Sequence, residues 1–280
     1  MLVRDRQRMR ARSFGGGGLL LPAGVRMFVT GAANDKVYQY DMTTAGDIST
    51  ASFTQDFFVS SQDGLPTGVF FKPDGLKMYV IGEINDSVFE YVLTSPYDVS
   101  TASFNASKSL LAQDSGVRTI YITNDGLKMF MLGIAADRIY QYSLSTPWDI
   151  TTAVYQSKFF NIASYETQGN ALTFNPDGTK MYFGGLGWGT MHEVTLSIPF
   201  DFGGTETYVG NEFYDSPNGF VFNEDGTKAY TVKGYSSDEI YEWSLSTPYS
   251  IFVKTLTNTF SVAAQDIAPY GIFLSRAVYR

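Results

Sequence analysis

Short runs of apolar residues fill this chain, several of them alternating apolar with polar, and turn-forming residues separate them. No run carries the three- and four-residue spacing of an amphipathic helix, so the pattern predicts strands. The runs also repeat. One phrase returns as FKPDGLKMYVIG at 71–82, TNDGLKMFMLG at 123–133, FNPDGTKMYFGG at 174–185 and FNEDGTKAYTVKG at 222–234. A worn copy, LLLPAGVRMFVTG at 19–31, precedes them. Taken from Gly24 through Gly75, Gly126 and Gly178 to Gly226, the spacings are 51, 51, 52 and 48 residues. A second phrase follows each copy, as in YVLTSPYDV from Tyr91 and YSLSTPWDI from Tyr142. A third precedes the next copy, as in SSQDGLPTGVFF at 60–71 and AAQDIAPYGIFL at 263–274.

Each unit reads as four short strands. An apolar first strand (GVFF) leads through a tight PDG turn, where Gly supplies positive φ, to an alternating second strand, LKMYVIG. A polar loop leads to VFEYVL, and the STPYDVSTA connection leads to a fourth strand around SFNASKSLL. Four strands in about 50 residues is the blade of a β-propeller. The fold class expected is therefore all-β: a five-bladed β-propeller of four-stranded blades over 19–280, with a basic arm and glycine hinge at 1–18. The C-terminal GIFLSRAVYR is a first-strand sequence with no second strand after it. It is expected to complete the N-terminal blade, so that pairing of the chain ends seals the ring and removes its edges. Either Leu19–Leu21 or Ile272–Leu274 can supply that blade's innermost strand.

The F-x-P-D-G-x-K-M-Y-V phrase resembles the blades of YVTN-like propellers. The fuller set of three phrases is similar to repeat arrays in tailed-phage and marine metagenomic proteins. That resemblance spans roughly residues 17 to 275 and implies the propeller fold; for function it implies a virion component.

Composition narrows the chemistry. There are no cysteines, which excludes disulfides and thiolate sites, and the single His192 excludes any site built on two histidines. His192 stands where other units carry Tyr38, Phe89, Tyr140 and Tyr241, so it reads as a substituted strand aromatic. No nucleophile elbow or phosphate loop is present, and the expectation is a protein that is not an enzyme. The net charge of −8 argues against nucleic acid as a partner, and no apolar run is long enough to insert in a membrane.

Four features are candidates for binding. The arm carries Arg4, Arg6, Arg8, Arg10 and Arg12 at every second position, so an extended arm presents all five on one face. It is expected to dock the chain to other virion proteins in a multimeric assembly. Aromatics follow the connection prolines at Tyr97, Trp148, Phe200 and Tyr249, and Trp188 sits among the glycines of GGLGWGT. They are candidate contacts for a host surface polysaccharide or a partner, though packing into the blades competes with that role. Asp63, Asp114, Glu166, Asp215 and Asp266 recur before each first strand. Converging at the axis, they would offer oxygen ligands to calcium; accepting backbone hydrogen bonds from their own turns, they would not. No cofactor is expected otherwise. The leading functional expectation is a structural or adhesive virion component of a tailed phage (tail, fibre, baseplate or capsid decoration). The alternatives are a lectin-like propeller and a metal-dependent hydrolase of the lactonase type.

Overall fold

The computed structural model describes residues 25–212, 216–233 and 237–276. Blade one holds β1 (Arg26–Gly31), β2 (Lys36–Met42) and β3 (Ala51–Phe58). Blade two holds β4 (Pro66–Phe71), β5 (Lys77–Gly82), β6 (Ser87–Leu93) and β7 (Ala102–Ser109). Blade three runs through β8 (Val117–Ile122), β9 (Lys128–Gly133), β10 (Arg138–Leu144) and β11 (Ala153–Asn161). Blade four is β12 (Gly169–Phe174), β13 (Lys180–Gly185), β14 (Met191–Leu196) and β15 (Glu206–Glu212). Blade five is β16 (Gly219–Phe222), β17 (Lys228–Lys233), β18 (Glu239–Leu245) and β19 (Lys254–Ser261). The last strand, β20 (Pro269–Leu274), pairs antiparallel with β1 and gives blade one its fourth member, in the order β20-β1-β2-β3.

Ring closure thus follows the expected course. Met27 faces Leu274, Phe28 faces Phe273 and Val29 faces Ile272, so Ile272–Leu274 lies in the innermost strand. The innermost strands touch in sequence around the axis, β4 to β8, β8 to β12, β12 to β16, β16 to β20 and β20 to β4. The molecule is a closed five-bladed propeller.

The recurring phrases have separate structural tasks. Each PDG-type turn closes on a glycine at positive φ, between 70° and 73° at Gly75, Gly126, Gly178 and Gly226. The Asp before it accepts a hydrogen bond from the amide two residues on, as Asp177 does from Thr179 N at 2.9 Å. The basic residue opening each second strand clamps neighbouring blades. Arg26, Lys77, Lys128, Lys180 and Lys228 donate to the carbonyls of Tyr97, Trp148, Phe200, Tyr249 and Gly46 respectively. The fifth clamp joins blade five to blade one and so helps hold the ring shut. Between the clamps lies an aromatic core in which Tyr40, Tyr79, Tyr91 and Phe130 have no solvent exposure. Burying each such side chain contributes roughly 1.5–3 kcal/mol.

Candidate functional site

Antiparallel blades give the disc two unlike faces. One carries the first-to-second-strand turns and the third-to-fourth-strand connections (the turn face). The other carries the second-to-third-strand hairpins and the links between blades (the hairpin face).

The carboxylates expected near the axis lie at the hairpin face and are fully engaged there. Asp63 accepts from Leu65 N and Asn85 N, both at 2.8 Å. Asp114 accepts from Gly116, Ala135 and Ala136 amides at 2.9–3.1 Å. Asp266 does the same with Ala33, Asn34 and Ala268, and Glu166 with Thr167, Gln168, Gly187 and Trp188. Each therefore ties the link into its blade to that blade's hairpin. Glycine makes the approach feasible: a Cβ on Gly31, Gly82 or Gly133 would lie 2.2–2.3 Å from the carboxylate of Asp266, Asp63 or Asp114. Among the described residues no three His, Asp or Glu side chains come together to hold a metal ion. Asp63, Asp114, Glu166 and Asp266 thus follow the alternative of accepting backbone hydrogen bonds from their own turns and hairpins. Asp215 lies outside the described residues.

The connection aromatics lie on the turn face, but as packing rather than as platforms. Tyr97 is fully buried and Trp148 is 6% exposed; Phe200 and Tyr249 are partly buried. Each ring slides beneath its own blade's turn glycine, where a Cβ on Gly75, Gly126, Gly178 or Gly226 would come within 2.2–2.5 Å of it. Each also meets an aromatic of an innermost strand: Tyr97 on Phe71, Trp148 on Phe70, Phe200 on Phe174 and Tyr249 on Phe222, at 5.3–6.5 Å between centroids. For Tyr97 and Trp148 packing into the blades leaves no open ring face, whereas Tyr249 stays partly exposed and lines an axial cavity on this face. Trp188 differs, standing 58% exposed on the hairpin face. His192 lies beside the same blade's aromatics, its ring stacked on Phe183. Burial drops its pKa to about 4. The arm residues Arg4, Arg6, Arg8, Arg10 and Arg12 lie outside the described residues.

A cavity opens at the axis on the turn face, and Tyr249 is the one candidate contact residue that lines it. It has a volume of about 620 Å³. Its apolar walls include Tyr121, Phe174, Phe222, Tyr249 and Phe273, and its polar groups include Asn124, Glu224, Asp225 and Arg276. A second, narrower space of about 50 Å³ adjoins it through Tyr121, Thr173, Val221, Phe273 and Arg276, and reaches Thr119 and Asn170. Arg276 follows the closing strand, and its guanidinium donates to Asn124 Oδ1. Among the described residues it has no carboxylate partner, whereas Lys77, Lys180 and Lys228 are each ion-paired with a buried glutamate. The Tyr249 hydroxyl donates to the Glu224 carbonyl. Burial pushes it up to about 12, with Asp225 and Glu224 adding to the rise and Arg276 opposing it. Acidic groups and one guanidinium therefore act within the same cavity.

Sequence reasoning reached Tyr249 but not the rest of this site, because its residues come from blades one, three, four and five, far apart in the chain. One signal was readable. Blade one carries Ala45-Gly46 where the other blades carry Pro followed by an aromatic.

No protein-family model matches the chain, and no curated protein matches it. Solved structures do. A chain of a nidogen/laminin complex superposes with a TM-score of 0.60 at 11% identity, over 89% of this chain and 98% of that one. Putative 6-phosphogluconolactonases from Bacteroides uniformis and Bacteroides fragilis superpose with TM-scores of 0.51 at 12% and 13% identity. Each of those two alignments covers 91% of this chain and 72% of the other. At these identities the likeness is one of fold. The expectation that the chain is not an enzyme is nevertheless corrected: propellers of this shape include proteins described as putative 6-phosphogluconolactonases, so the fold gives no ground for excluding catalysis.

Proposed function

We propose that the axial cavity of the turn face binds a small polar ring of the sugar-lactone or sugar-acid class, and that lactone hydrolysis is its reaction. The observation that carries this is the cavity itself. It is large enough for a sugar, walled by aromatic and aliphatic surface, and furnished with carboxylates and a guanidinium that Asn124 holds in place. Hydrolysis of a lactone needs a base to take a proton from water and a positive group to hold the oxyanion that forms. Glu224 would serve as the first and Arg276 as the second, while Asp225 is held by the Thr227 amide and hydroxyl. Water adds to the carbonyl, the ring C–O bond breaks, and the proton passes to the departing alkoxide, leaving a hydroxy acid. The neighbours described as putative 6-phosphogluconolactonases make gluconolactone and its 6-phosphate the first substrates to assay. The virion expectation has no comparable observation behind it, and the arm that motivated it lies outside the described residues.

The test is acid release from each lactone followed with a pH indicator, alongside calorimetric titration of gluconate. Expected is saturable turnover or binding that Arg276→Ala weakens at least tenfold. Rates equal to the uncatalysed background together with no heat of binding would reject the assignment.

A further inference from the structure

Four blades insert an aromatic ring beneath their turn glycine, and at the equivalent connection position blade one carries Gly46. The five positions are equivalent by their backbone bonds. Lys77, Lys128, Lys180 and Lys228 reach the carbonyls of Trp148, Phe200, Tyr249 and Gly46 from the same strand position. The Tyr79, Tyr182 and Tyr230 hydroxyls donate to the carbonyls of Trp148, Tyr249 and Gly46. Backbone conformation agrees as well: φ is 66° at Gly46 and 52–62° at Tyr97, Trp148, Phe200 and Tyr249. Where the other blades place a ring, blade one has a hydrogen atom, and Gly46 lines the axial cavity together with Phe222, Leu274 and Phe273.

We infer that Gly46 determines the specificity of this cavity. The ligand's flat ring occupies the socket that an aromatic side chain fills in the other four blades. The cavity thus selects a ring with one broad apolar face, which Phe273 and Leu274 beside Gly46 would back. This deepens the reading above: it rests on the cavity being a ligand site, and not on the ligand being a lactone.

The socket tolerates a side chain at residue 46. Among the described residues a Cβ there would meet only the Tyr230 hydroxyl, at 2.9 Å, and Tyr79 and Tyr182 make the same bond to residues that do carry a Cβ. The test uses 1-anilinonaphthalene-8-sulfonate, a flat anionic fluorophore, titrated into the full chain. The unaltered chain should show one saturable site. Gly46→Phe should weaken that site at least tenfold while the melting temperature holds or rises. Gly46→Asn, which accepts positive φ but does not fill the socket, should bind within about threefold of the unaltered chain. Probe binding unchanged by Gly46→Phe would overturn the inference, as would no site on the unaltered chain. A Gly46→Phe variant that fails to fold would also overturn it, because the socket is argued to accept a ring as it stands. Probe binding that depends on residue 46, with no response to lactone or gluconate, would reject the sugar reading and leave this one intact.

Discussion

At the scale of single residues, the decisive groups are polar side chains that the fold buries. Asp114 is 4% exposed and holds three backbone amides. Removing it leaves those donors without an acceptor, so Asp114→Ala should cost about 3 kcal/mol, measured as a fall in the urea midpoint. Calcium or chelator should leave the melting temperature of the unaltered chain in place, since the carboxylate oxygens are already occupied. His192 makes a different prediction. Its pKa in the folded protein is about 4 against an ordinary 6.5, because burial penalises the charged ring. The unfolded chain therefore takes up the proton first, and stability contributed by the neutral ring is lost as pH falls from 6.5 toward 4. The full loss is about 3 kcal/mol. Other carboxylates titrate in the lower part of that window, so the measure is the difference between the unaltered chain and His192→Phe. The substituted chain should lose that component of the slope.

Elements are joined by the clamps that open the second strands. Lys77 holds both the Trp148 carbonyl of the next blade and Glu90, whose side chain is 2% exposed. Lys77→Met should cost about 3 kcal/mol by chemical denaturation, chiefly because Glu90 would stay buried without its counter-ion. The turn glycines are equally constrained. Gly75→Ala would strain a φ of 72° and drive a methyl to 2.5 Å from the Tyr97 ring. At this scale the chain was easy to read. Alternation gave the strands and PDG gave the turns, but nothing local showed the bond that each strand-opening Lys makes to the next blade. The Gln-Asp pairs were readable as recurring but not as tied: Gln62 and Gln113 accept the Tyr91 and Tyr142 hydroxyls across the blade. Such bonds join residues 29 positions apart and have no local pattern.

For the whole molecule, closure and the axial cavity are linked. Blade one is assembled from both chain ends, and it is also the blade that carries Gly46 at the connection position where the others carry an aromatic. Truncation after Ala268 removes β20 and with it the pairing of Met27, Phe28 and Val29 to Leu274, Phe273 and Ile272. The truncated chain should lose cooperative thermal unfolding and elute as aggregate, because β1 would become an open edge beside an uncovered core. Fivefold repetition made the ring legible from residue spacing. The cavity was hidden because it depends on a side chain that one repeat omits, and on Arg276, which lies beyond the repeated phrases. The most direct measurement is a crystal structure of the full chain soaked with gluconate. Density for the ligand between Gly46, Phe222 and Arg276 is the expected result. Density only at Trp188 on the opposite face, or an axial cavity filled by the protein's own side chains, would contradict it.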